Sequence, residues 1–146
     1  MEYVKIRFPL EAHEEGFPPI AVEMLNAQLV NEGVAKIDNT PFFVESIAIG
    51  DIVLCKPAGS EGVYDFERVV EHGNSKSVSI IFIDESCKED LYQYFKVHNC
   101  YCEYGEFGAF NMLAVSIPAS VEYPKISKHL EKLEAVTKIS FAELCL

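Results

Sequence analysis

His98, Asn99, Cys100, Tyr101 and Cys102 set an imidazole and two thiols at alternate positions, which are the ligand types of a transition-metal site. On a strand, successive side chains of one face stand about 7 Å apart, too far for three of them to meet a zinc ion whose sulfur ligands lie ~2.3 Å away. His98 would have to fold over from a helix end, and Cys87 or Cys145 would have to supply a fourth ligand. The run is therefore expected to be a helix-capping histidine and two strand cysteines, one or both buried, with no metal bound. Nucleophilic catalysis needs a thiol or hydroxyl beside a base, yet His13, His72, His98 and His129 each fall beside a different element, and nothing pairs one of them with Cys102. Asp65 and Glu67 would need a cleft to act as an acid pair. Gly59, Gly62, Gly105 and Gly108 lack the following Lys-Ser or Lys-Thr and the strand-to-helix setting of a phosphate cradle. No catalytic residue and no cofactor are expected, and the chain reads as a non-enzyme.

What remains is carboxylate. Asp and Glu outnumber Lys and Arg by 23 to 12, a net charge of −11. Residues 1–73 hold 13 acids against 5 bases and so carry −8 of that total. Such a field repels nucleic acid and anionic membrane and attracts a basic protein. Tyr92, Tyr94, Tyr101 and Tyr104 lie among acids, so base stacking would lack its electrostatic component. Two acidic groups stand out, Glu11, Glu14 and Glu15 on a loop and Asp65, Glu67 and Glu71 on a strand. With the neighbouring aromatics Phe17, Tyr64 and Phe66 they form the expected partner-binding surface, charge setting the on-rate and aromatics the affinity. The same acids also serve solubility.

The elements that carry these residues follow from periodicity. Residues 3–8 alternate as a half-exposed strand, and Phe17-Pro18-Pro19 leads rigidly out of the acidic loop. The stretch from Ile20 to Asn31 fits either a short helix or a bent strand. Val34 to Asn39, Phe42 to Val44, Ser46 to Ile49, Ile52 to Cys55 and Val63 to Glu71 read as short strands separated by Gly and Pro turns, as in a small curled sheet or barrel. After His72-Gly73-Asn74-Ser75 the pattern changes to a strand from Ser77 to Ile83, a helix from about Lys88 to His98, a hairpin of Cys100 to Phe107 with Phe110 to Ile117, a helix from about Tyr123 to Ala135, and a strand from Ile139 to Leu144. Leu91, Tyr94, Phe95 and Val97 form the first helix's apolar stripe, and Ile126, His129, Leu130 and Leu133 the second's. The expected fold is α+β: a barrel-like N-terminal lobe over residues 1–73, then a ferredoxin-like βαββαβ lobe over residues 74–146.

Cys55, Cys87, Cys100, Cys102 and Cys145 are odd in number and irregular in spacing, which fits reduced thiols and a cytoplasmic protein better than a disulfide framework. The N-terminus alternates charged and apolar residues, unlike a signal peptide, and the apolar runs are strand-sized.

Ile37-Asp38-Asn39-Thr40-Pro41-Phe42-Phe43-Val44, Gly50-Asp51-Ile52-Val53 and Phe66-Glu67-Arg68-Val69-Val70-Glu71-His72-Gly73 together resemble a bacterial family catalogued as a domain of unknown function, number 4265. Gly16-Phe17-Pro18-Pro19, Val22-Glu23 and Ala114-Val115-Ser116-Ile117-Pro118 extend the resemblance over nearly the whole chain. The family favours Trp at the position of Phe17 and just after Glu23, and this chain has none. The resemblance implies the two-part layout and brings no activity or catalytic residues.

The functional expectation is an acidic immunity protein that occludes the basic active site of an antibacterial toxin such as a nuclease. The alternative is a regulatory module that binds a small molecule where two sheets meet. Both leave sheet edges through which a second copy could associate.

Overall fold

Val4, Ile6 and Phe8 alternate with Tyr3, Lys5 and Arg7. In the computed structural model, which describes residues 2–13 and 16–146, that alternation is strand β1 (Glu2–Pro9), with the three apolar side chains buried. β1 pairs antiparallel with β2 (Val22–Asn31) and parallel with β5 (Val63–Glu71). β3 (Val34–Ile37) and β4 (Ile52–Pro57) complete the ring, and the five strands close into a barrel in the order β1-β2-β3-β4-β5. Leu25, Ala27, Ala35, Ile37, Val53 and Cys55 join the β1 side chains in its core. Register shifts at Ile52/Val53 and Leu54/Cys55, where β4 meets β5, supply the local bend that closure requires.

β2 resolves the ambiguous stretch as a strand. Its alternation is hard to read because Val22, Met24 and Val30 point outward and are exposed, while Glu23 points inward and is buried.

The segments Phe42 to Val44 and Ser46 to Ile49, expected as strands, are irregular. Thr40, Phe43, Val44, Ile47, Ala48 and Asp51 are nonetheless buried, so the aromatic and β-branched content there reflects burial and not a pleated ladder. A buried irregular segment must find partners for its amides. Two inward carboxylates provide them. Glu23 accepts from the N–H groups of Phe42, Phe43 and Val44 at 2.7, 3.0 and 2.9 Å, and Asp51 accepts from Ala48 at 2.9 Å and Gly73 at 2.8 Å.

The second sheet is built from β6 (Lys76–Phe82), β7 (Tyr101–Phe107), β8 (Phe110–Ile117) and β9 (Ile139–Cys145) in the order β7-β8-β6-β9, with every neighbouring pair antiparallel. A 3-10 turn (Glu85–Cys87) precedes α1 (Lys88–Val97), and α2 (Tyr123–Ala135) precedes β9. Asp84 caps the 3-10 turn, accepting from Ser86, and those hydrogen bonds hold its carboxyl below the ordinary value. Val78, Ile80, Phe82, Leu113, Val115 and Ile117 form one face and pack with Leu91 and Phe95 of α1 and Ile126 and Leu130 of α2. Val97 does not belong to that stripe and is 75 % exposed. At 100° per residue it falls on the far side of the helix, and His98 continues the row instead.

The opposite face of this sheet carries Ser77, Ser79, Ile81, Met112, Ala114 and Ser116, as the two-residue period requires. These mostly small residues let the 38–51 segment approach closely. Ser77 Oγ donates to Ile47 O at 2.8 Å, Thr40 Oγ1 to Val115 O at 3.3 Å, and Ser46 N to Leu144 O at 2.8 Å. Among the described residues, no helix is long and apolar enough to cross a membrane.

Candidate functional site

Where the barrel meets the second sheet, a cleft of about 600 Å³ opens. One wall is the end of β1 with the segment after it (Phe8, Leu10, Phe17), and a second is the 42–45 segment; its floor is the serine-rich face of the sheet, with Ser79, Ile81 and Met112. Phe17 stands edge-on to Phe43 and to Phe110 at 5.6 and 5.4 Å, and Phe107 meets Phe42 and Phe43 at 5.0 and 4.9 Å. Such edge-to-face pairs lock the rings relative to one another. Gly105 makes this possible, because a Cβ there would lie 2.6 Å from Phe42 Cζ.

The cleft is apolar with two polar zones. Ser79 is 4 % exposed, and its Oγ has no hydrogen-bond partner among the described residues. At the mouth stand Glu11, His13 and Glu45, all exposed. The roof depends on Glu23, which is 6 % exposed and clamps the 42–44 amides. Burial raises its carboxyl above the ordinary value and outweighs the amide hydrogen bonds, which pull it down.

A second cluster lies at the other end of the joint. The Asp51 carboxylate, a ring nitrogen of His72 and Cys145 Sγ all fall within 4.8 Å of one another, beside a separate cleft of about 610 Å³ lined by Ser46, Asn74, Lys76 and Ala119 among others. Gly73 packs so tightly on Gly50 that a Cβ would sit 2.6 Å from its carbonyl carbon. That approach brings the β5 end, with His72, against the Asp51 turn. Burial raises the Cys145 thiol, and the Asp51 charge adds to the rise while Lys76 opposes it.

The residues singled out by sequence distribute differently. Glu14 and Glu15 lie outside the described residues. Glu11 reaches the cleft mouth, and Phe17 forms part of its wall. Asp65 is paired with Arg7 at 2.8 Å, Tyr64 packs against the barrel core, and Phe66 stacks on Phe8 at 4.7 Å. Glu67 and Glu71 are exposed on β5. The aromatic members of the expected surface are engaged in internal packing, and Glu11, Phe17 and Phe66 line one cleft.

His98 accepts the capping role. Its Nδ1 lies 2.8 Å from Tyr94 O, and its ring packs on Tyr94, which in turn stacks on His129 at 3.9 Å. Cys100 and Cys102 are both buried, and burial pushes each thiol up to about 11. Sequence reasoning missed Glu23, Asp51 and Ser79, along with the role of His72 and Cys145. Asp51 and His72 do fall within the segments that carry the family resemblance, but only the fold brings residues so distant in sequence to one point.

A family model described as "Domain of unknown function (DUF4265)" matches residues 23–141, a span that includes Glu23, Asp51, His72 and Ser79 and stops short of Cys145. No curated protein matches the chain. The crystal structure of a hypothetical protein from Neisseria gonorrhoeae is similar over 99 % of this chain and 94 % of that one, with a TM-score of 0.77 and 21 % sequence identity. The likeness is one of fold.

Proposed function

The chain belongs to the DUF4265 family, a domain of unknown function, and from that premise we propose that it is a non-enzymatic module that binds a small apolar molecule in the cleft between barrel and sheet. The observation that carries this reading is Ser79, a buried hydroxyl without a partner among the described residues, on the floor of an aromatic-walled cleft. Leaving a hydroxyl buried and unbonded costs about 1–3 kcal/mol, a cost that a ligand's polar group would relieve by drawing the occluded Oγ round into the cleft. The cleft's size and its mostly apolar lining with few polar groups suit a metabolite-sized compound. Glu11 and Glu45 at the mouth, within a chain of net charge −11, disfavour anions and select an uncharged or cationic ligand.

Two features support reading the second sheet as a ferredoxin-like lobe over residues 74–146. Its elements run βαββαβ, and its first and third strands lie in the middle of the order β7-β8-β6-β9. Separate apolar clusters in barrel and sheet favour the division after residue 73.

The test uses Nile red, an uncharged apolar dye. Saturable one-to-one fluorescence enhancement is expected. Ala142→Trp, at an exposed cleft position opposite Ser79 on β9, should weaken it at least tenfold. Ser79→Ala should stabilise the free protein by about 1 kcal/mol in urea melts. Dye binding that is unchanged in the Trp variant would refute the cleft as the site.

A second reading, docking of a basic protein such as a toxin nuclease, rests on Glu67 and Glu71, exposed on β5 beside the exposed Val70. Reversing both charges should slow association with a basic toxin domain, and the deficit should fade as salt is raised. Equal rates for the two proteins at low salt would remove this reading.

A further inference from the structure

We propose that Asp51, His72 and Cys145 form a binding site for a divalent transition-metal ion, with zinc the best match to the three ligand types. A carboxylate, an imidazole and a thiolate are each established zinc ligands, and three protein ligands beside an open position is the arrangement of sites that keep a coordination place for water or substrate. Two of the three, His72 and Cys145, line the cleft of about 610 Å³.

The spacing supports convergence on one ion. Two ligands each about 2.0 Å from a tetrahedral ion stand about 3.3 Å apart, and His72 Nδ1 lies 3.1 Å from Asp51 Oδ2. Cys145 Sγ, within 4.8 Å of the others, has to close by at most about 1.3 Å to reach the roughly 3.5 Å that a sulfur and a nitrogen or oxygen ligand keep on a tetrahedral ion. The means to close are present. The His72 side chain is 58 % exposed, and Cys145 is a half-buried residue at the end of β9. Asp51 is the fixed member: its side chain is 1 % exposed, and the amides of Ala48 and Gly73 orient its carboxylate as outer hydrogen bonds orient metal ligands elsewhere. Lys76 lines the same cleft, and its charge opposes a cation, so affinity should fall below that of a closed cysteine and histidine site.

The same three residues do not form a nucleophilic relay. In a relay the imidazole stands between carboxylate and nucleophile, which places those two about 7 Å apart. Here they lie within 4.8 Å of each other, too close to be separated by an intervening imidazole.

Protein stripped by chelator under reducing conditions and titrated with Co(II) should bind one ion per chain, develop sulfur-to-cobalt charge-transfer absorption, and release the cobalt to one equivalent of Zn(II). Cys145→Ser should abolish the charge-transfer band, whereas Cys102→Ser, at a buried thiol elsewhere, should keep it. His72→Ala should weaken binding at least about tenfold. Asp51→Ala also frees the Ala48 and Gly73 amides, so the decisive variants are those at His72 and Cys145, and circular dichroism of each confirms the fold. Failure to saturate below about 100 µM Co(II), or a band that survives in Cys145→Ser, would overturn the assignment.

Discussion

Glu23→Ala should lower the unfolding free energy by about 3–5 kcal/mol. The substitution strands three amides, those of Phe42, Phe43 and Val44, and an unsatisfied buried donor costs about 1–3 kcal/mol. Relief from burying the carboxylate offsets part of the sum. For a chain of this size each kcal/mol shifts the midpoint by roughly 2–4 °C, so a fall on the order of 10 °C is expected in calorimetry, together with loss of Nile red binding as the cleft roof loosens. A change below about 1 kcal/mol would show that the loop amides have other partners. Glu23→Gln gives a sharper reading through pH. Burial places the folded-state carboxyl above its ordinary 4.5, so the folded protein holds that proton to higher pH than the unfolded chain does. The contribution is complete below the ordinary value and is lost as pH rises through the raised one. Urea melts of the native protein should carry that decline, and the Gln variant should lack it.

Gly73→Ala is expected to be comparably damaging for an unrelated reason. The added Cβ would lie 2.6 Å from both C and O of Gly50, and the obstacle is backbone, which cannot rotate away as a side chain does. Overpacking of this kind costs about 1–3 kcal/mol and sometimes more, and we expect the upper end, because the β5 end must separate from the Asp51 turn. Co(II) binding should weaken in parallel. Gly59→Ala is the comparison: at φ +94° with nothing within 4 Å of its would-be Cβ, it should cost about 1–2 kcal/mol through conformation alone. Equal losses in the two variants would show that the contact at Gly73 is not tight.

Much of the architecture can be read from the residues because their side-chain alternation coincides with burial. Val4, Ile6 and Phe8 announce β1, and Ile126 with Leu130 announce α2. Legibility fails where a residue's type and its location disagree. Val22 and Met24 point to solvent while Glu23 points inward, which blurs β2. Phe42 to Ile49 has a strand's composition and a loop's backbone, because the amides of Phe42, Phe43, Val44 and Ala48 are served by carboxylates instead of a neighbouring strand. Those carboxylates are also why charge misleads. Glu23 and Asp51 count toward the acidic total of residues 1–73, yet neither is on the surface, and Asp65 is neutralised by Arg7. Neither cleft follows from local sequence, since Ser79 acquires meaning only from the wall that residues 42–45 set above it.

The closure of the barrel also dictates an order of assembly. β1 pairs with β2 early, but its other edge waits for Val63 to Asp65, and Ser46 finds its acceptor only when Leu144 is in place. Contacts this distant along the chain cost loop entropy before they return anything, and they slow folding. On the ribosome, Ile6 and Phe8 therefore emerge well before the strand that covers them, and the 42–48 segment is secured only once β9 has been made. The two walls of the cleft are made before the strands that fasten them, so the nascent protein is most exposed to aggregation and to chaperones on the surface proposed to bind a ligand.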